Sequence, residues 1–172
     1  AIINITYFNR KQNERNHMKT NHQLIKIYKN LIQTTQIQTS YQYIIEIIHN
    51  LYLTLKKDLN TYQFSHKVIE NHMNFSYFQL TNPQLKKQGL KIQIIFIHQS
   101  CQLEVWLSGY NRHIQQQYYQ TLKSTCPFQL CENPQKNNYI IKRSLIKDIS
   151  TDDLQDIIEE IKLTIKDIEK LL

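Results

Sequence analysis

The sequence predicts an α+β fold: a mostly antiparallel sheet of about four strands, with two N-terminal helices, one helix after a central hairpin and a C-terminal helix. Three observations carry that expectation. Residues 90–122 hold two strand-like runs, 91–98 and 103–107, separated by His98-Gln99-Ser100-Cys101, the length of a hairpin loop. After the Gly109-Tyr110-Asn111-Arg112 corner, Ile114, Tyr118 and Leu122 recur every four residues, which is a helix period. Near the C-terminus, Leu154, Ile157, Ile158, Ile161, Ile165, Ile168 and Leu172 make one continuous apolar face. Asp152, Asp153 and Asp156 crowd the start of that helix and Lys166 and Lys170 its end, as the helix dipole favours.

The remaining elements follow in chain order. Within residues 1–20, Ile2, Ile3, Ile5, Tyr7 and Phe8 suit a short strand, and the segment reads as a peripheral extension with Met18 as an alternative start. From Asn21, Leu24, Tyr28 and Leu31 stack at helical spacing, flanked by Ile25 and Ile32. Residues 36–39 break the pattern, and Thr39-Ser40-Tyr41-Gln42 offers a capping box. Behind it Ile44, Ile47, Ile48, Leu51 and Leu55 form an apolar stripe to about Lys57, so the two helices are expected as an antiparallel pair on a sheet. Residues 62–72 are ambiguous, with Val68-Ile69 suited to a short strand or a turn. Residues 74–80 read as a strand with Phe75 and Tyr77 on one face and Phe78 and Leu80 on the other, ended by Asn82-Pro83. Residues 84–89 form a connection in which Gly89 suits a positive backbone angle. Residues 124–138 are loop-like, and 138–146 form a strand with Tyr139, Ile141, Arg143 and Leu145 on one face. Residues 21–172 are therefore expected as one domain.

Composition bounds the setting more than the chemistry. Formal charge is +7, with six Lys/Arg against one Glu in residues 1–35, twelve against six in 36–149, and three against seven in 150–172. A basic body with an acidic last helix suits an anionic partner, nucleic acid included. The densest basic clusters are only pairs, Lys56-Lys57 and Lys86-Lys87, so an ordinary solvated surface is the favoured reading. The Asn, Gln, Lys, Ile and Tyr bias fits an AT-rich genome. Cys101, Cys126 and Cys131 are an odd count that argues against a disulfide framework. With no signal-peptide pattern and no long apolar run, a cytoplasmic setting away from membranes is expected.

The string LKIQIIFIHQSCQLEVWLSGYNRHIQQQYY resembles the core of a DUF7000-like family of small, uncharacterised bacterial proteins. There a strand like LKIAIVF leads to a hairpin, FEVWLxGxNR and a helix beginning xxQxxYW. The positions that match are Leu90, Lys91, Ile92, Glu104, Val105, Trp106, Leu107, Gly109, Asn111, Arg112, Gln116 and Tyr119, with Tyr77-Phe78 and Leu85-Lys86 upstream. The likeness runs more faintly over residues 21–172. It departs where a segment like MDMTYF becomes Met73-Asn74-Phe75-Ser76-Tyr77-Phe78, which puts Asn74 in place of an acid. The resemblance implies a fold and no mechanism. The element order is also similar to nuclease-related domains of restriction-endonuclease type, a topological analogy.

Motifs with established chemistry are missing. Two isolated glycines exclude a phosphate-binding loop and a dinucleotide fingerprint. Cys126, Cys131 and His113 lack the paired spacing and fourth ligand of a zinc site, so neither metal nor cofactor is expected. His66, His72 and His98 read as solvated side chains. A restriction-type nuclease needs two carboxylates and a lysine on adjacent strands. Glu104-Val105-Trp106 puts Trp where that lysine would sit, and Asn74 replaces the second acid, so catalytic residues are not expected.

The candidate site is the corner after the hairpin, with Tyr77, Glu104, Trp106, Tyr110, Asn111 and Arg112 as its residues. Arg112 at a helix start, near Trp106 and Tyr110, suits cation–π packing or anion binding. Asn111 is a natural N-cap, which serves the fold alone. The expected function is a non-catalytic binding or interaction module, whose partner would be a protein or a small anionic ligand. Two alternatives stand beside it. One is a nucleic-acid-acting protein with a degenerate nuclease-like fold, and the other a small-metabolite enzyme with a pocket lined by Tyr77, Trp106 and Arg112.

Overall fold

A computed structural model of the protein describes residues 21–124 and 126–172. The expectations for residues 1–20, a short strand and a peripheral extension starting before Met18, lie outside them. The described residues divide between two compact units, with the boundary between Ile44 and Ile45.

In the first unit, helix α1 (Asn21–Thr34) has the predicted span but buries none of its residues. Leu24, Ile25, Tyr28 and Leu31 are all exposed. Helix α2 (Ile37–Asp58) crosses the division between the units and starts earlier than the capping-box reading allowed. Thr39 lies inside it. The helix interruption falls instead at Thr35, whose Oγ1 accepts from the Ile37 amide. A short side chain at that position gives the backbone an alternative to the next helical turn.

The second unit holds an antiparallel sheet of seven strands among the described residues, in the order β1-β3-β4-β5-β7-β6, with β2 also on β3. The strands are β1 (Gln63–Phe64), β2 (Ile69–Asn71), β3 (Phe75–Thr81), β4 (Leu90–Ile97), β5 (Gln102–Gly109), β6 (Gln129–Leu130) and β7 (Ile141–Ser144). The expected four are β3, β4, β5 and β7. The other three have two or three residues, too short for an alternation to register in sequence. The connection after β3 also contains a short helix, α3 (Pro83–Lys87), capped by the Asn82 side chain and pinned by the buried Leu85.

Alternation divides the sheet cleanly. On one face Phe78, Leu80, Leu90, Ile92, Ile94, Phe96, Leu103, Val105, Leu107 and Ile141 are buried. The C-terminal part of α2 and helix α5 (Leu154–Glu169) pack on this face. Ile48, Leu51, Tyr52 and Leu55 supply the α2 stripe, and the Tyr52 ring meets Phe78 edge-on at 5.4 Å. Ile157, Ile158, Ile161, Ile165 and Ile168 supply the α5 stripe, as the apolar pattern predicts. Asp153 caps α5, and Arg143 reaches from β7 to Asp167 at 3.2 Å. Lys162 and Asp58 tie α5 to α2 at 2.5 Å. Glu169 at the end of α5 accepts from Tyr62 at 2.5 Å and Asn82 at 2.7 Å, fastening the helix to the edge of the sheet.

The two glycines of the chain lie diagonally at the open end of the β4–β5 hairpin, where Leu90 pairs with Gly109 and the Tyr110 amide donates to the Gly89 carbonyl. Gly89 has φ +71°, and a Cβ there would press on Ile114 at 3.2 Å. A Cβ on Gly109 would lie 2.8 Å from the Gln115 amide nitrogen. Both glycines therefore exist to admit helix α4 (Arg112–Leu122) against the hairpin end.

Candidate functional site

The second face of the sheet carries the residues with chemistry. On β3 its members Phe75, Tyr77, Gln79 and Thr81 are half-exposed, whereas Ser76, Phe78 and Leu80 on the packed face are buried. Register places Tyr77 beside Ile95 and Ile95 beside Glu104, and Gln79, Gln93, Trp106 and Lys142 in the neighbouring row.

Glu104 is the chemical centre of this face and is only 3% exposed. A carboxylate so removed from water must be matched by donors. Trp106 Nε1 donates at 2.6 Å, Lys142 Nζ at 2.9 and 3.1 Å to the two oxygens, and Ser144 Oγ at 3.1 Å. These donors occupy both carboxylate oxygens. Trp106 in turn lies between Phe75, at 6.1 Å between ring centroids, and Tyr139 at 4.9 Å. Lys142 sits over the Tyr139 ring at 5.4 Å, and burial raises the pKa of the Tyr139 phenol. The result is an aromatic row laid over an internal ion pair.

The lysine that the Glu104-Val105-Trp106 reading found missing is therefore supplied from the adjacent strand, by Lys142. Sequence reasoning overlooked it because strand pairing, not spacing, brings it to Glu104. The same strand was expected to hold Tyr139 on the face of Ile141 and Arg143. Tyr139 instead precedes β7 and turns to Trp106 on the other face. The second acid stays missing. Asn74 is exposed in the β2–β3 turn, where its carbonyl accepts from the His98 amide. Among the described residues no group of three or more His, Cys, Asp or Glu side chains is arranged to hold a metal ion. The three cysteines are free, and burial pushes the Cys131 thiol up to about 11.

The corner residues divide from the sheet residues. Asn111 caps α4, accepting from the Ile114 amide at 2.9 Å. Arg112 donates to the carbonyls of Asn137 and Pro134 and to Asn138 Oδ1 at 3.1 Å. Its guanidinium thus straps the helix start to the loop before β7, and Gln115 adds bonds to the Asn137 and Tyr139 carbonyls at 2.7 and 3.1 Å. Tyr110 is half-exposed, and its ring lies 5.9 Å from Lys91 Nζ rather than against Arg112. Tyr77, Glu104 and Trp106 thus share the sheet face, while Tyr110, Asn111 and Arg112 form its end.

His98, read as solvated, is half-buried and bonds Ser76, with Nε2 2.8 Å from Oγ. Burial lowers its pKa, and the charge of Glu70 opposes that shift. Ser, His and Glu in proximity suggest a nucleophile and its base. Ser76 is fully buried on the packed face, however, so no substrate carbonyl can approach its hydroxyl.

No helix among the described residues is long and apolar enough to cross a membrane. No curated protein and no solved structure matches the chain. The resemblance in the hairpin and corner extends to nearly the whole chain, since residues 20–172 match one family model. The chain belongs to the family described as Domain of unknown function (DUF7000).

Proposed function

We propose that residues 21–172 act as a non-catalytic binding module that engages its ligand or partner on the polar, aromatic face of the sheet. The observation that carries this reading is the state of Glu104. Its carboxylate is neutralised by Lys142 and saturated by Trp106 and Ser144, which leaves it without a free lone pair for general-base work or metal ligation. The half-exposed side chains around it, Phe75, Tyr77, Gln93 and Tyr139, offer ring surface and amide groups of the kind ligand sites use. Trp106 is the floor of that surface. The setting we infer is a reducing cytoplasm, which three free cysteines support.

A nucleic-acid reading draws on the net charge of +7 and on aromatic rings along an open sheet, a stacking platform for single strands. Against it, Lys142 is already paired with Glu104. A panel of nucleotides, amino acids, short peptides and single-stranded oligonucleotides, titrated while the Trp106 indole N–H is followed by NMR, tests both. The binding reading expects saturable shifts on Phe75, Tyr77, Gln93 and Trp106 without turnover. Oligonucleotide shifts that vanish steeply with salt support the second reading. Mg²⁺-dependent cleavage that disappears in Glu104→Gln overturns the non-catalytic one.

A further inference from the structure

At the other end of the same face a shallow pocket of about 180 Å³ opens between β1, β3, β4 and the β5–α4 corner. Gln63, Ser65, Gln79 and Thr81 provide polar lining, Tyr110 forms a wall, and Lys91 is the charged residue within it. No acid lines the pocket. Lys91 is half-buried, and desolvation alone lowers its pKa. Among the described residues, the face of the Tyr110 ring, 5.9 Å from Nζ, is what meets its charge. Arg112, at the start of α4, is already held by the carbonyls of Asn137 and Pro134 and the side chain of Asn138.

A cation kept partly from water without a counter-ion costs free energy, and the cost falls when an anion enters beside it. We propose that the Lys91 pocket is a binding site for a small oxyanion, a phosphate or a carboxylate, carried on a ligand whose flat part lies against Tyr110. Lysine serves such a group as a point charge, with the amides of Gln63 and Gln79 as neutral donors at the rim. This is a separate locus from the Trp106 row, so either assignment can fail without the other.

The same desolvation fixes the sign of a stability effect. The unfolded chain holds the Lys91 proton more tightly than the folded protein, so the site destabilises the fold while it is charged and empty. Lys91→Met keeps the stem and removes the charge. It is expected to melt at the same temperature as the natural protein or higher.

Titration of the full chain with inorganic phosphate and, separately, with benzoate, followed by NMR, tests the proposal. One or both should shift Tyr110, Gln79 and Lys91 saturably in the millimolar range, and the tighter of the two identifies the oxyanion. Lys91→Met should weaken that binding at least tenfold, and Lys91→Arg, which keeps the charge, should retain it within a few-fold. Shifts that never saturate, or that persist unchanged in Lys91→Met, overturn the site. So does a Lys91→Met protein that melts well below the natural one, because Lys91 would then be a structural residue.

Discussion

The two faces of the sheet follow the same alternation but meet different demands. On the packed face, β-branched, leucine and aromatic side chains sit under α2 and α5, and nearly every one is fully buried. On the other face the burial that does occur comes from the face's own side chains and from the loop before β7, with Phe75 and Tyr139 against Trp106, Lys142 against Glu104 and the Asn138 carbonyl over Ser108. The packed face is stabilised by area removed from water, at roughly 25 cal/mol per Å². The second face relies on matching one buried charge with its donors, which adds little net stability but penalises any missing partner. A face built that way leaves its rings and amides half-exposed.

Substitutions on the second face should sharpen this contrast, and the largest effect is expected at Trp106. Trp106→Ala opens a space beside Phe75 and Tyr139 and removes a donor from Glu104, so it should cost about 3 kcal/mol in chemical denaturation. A cost near 1 kcal/mol would mean that the indole is a surface residue and the row is not packed. Glu104→Gln keeps an acceptor for Trp106 but leaves Lys142 without its counter-charge. Because Lys142 retains some access to water, a loss of about 2 kcal/mol is expected, below that of a fully buried broken pair. A neutral result would contradict the account of Glu104.

Smaller effects belong to the scaffold at the ends of the sheet. Asn111→Ala removes the α4 cap and should cost about 1 kcal/mol by thermal melt, without altering any shift at Trp106. At His98 the effect is one of slope. Burial lowers its folded pKa, so the unfolded chain binds its proton more readily. Stability should therefore rise with pH between the folded value and the ordinary 6.5, and fall as pH drops through that window. His98→Gln should flatten the curve there. The lowered carboxyls of Asp148, Asp152 and Asp167 act at more acidic pH and should remain visible in that variant.

The parts of the fold legible in the sequence are those with a long period. Both long helices, the β4–β5 hairpin, the Asn111 cap and the opposite faces of Tyr77 and Phe78 follow from spacing alone. So does the sharing of a face by Glu104 and Trp106. Pairing between distant segments leaves no such trace. Lys142 reaches Glu104, and Tyr139 reaches Trp106, only because β7 docks on β5, with a register that depends on the whole sheet. Arg112 shows the opposite failure. At a helix start, free of neighbours in sequence, it invites an anion, yet the loop carrying Pro134, Asn137 and Asn138 folds back and claims it. The short strands β1 and β6 left no mark in the sequence, and β2 only the choice of strand or turn at Val68-Ile69, because their partners, not their composition, make them strands.

Tyr77 and Phe78 are adjacent in sequence and lie on opposite faces, so the pair isolates the difference between the faces with the least change in anything else. The decisive measurement is the unfolding free energy of Tyr77→Ala and of Phe78→Ala by denaturant titration. Phe78 is fully buried against Tyr52, and its truncation should cost roughly 3–5 kcal/mol. Tyr77 is half-exposed, and its truncation should cost about 1 kcal/mol or less. Equal losses would mean that both faces are packed core, and the second face would then have no surface to offer a ligand.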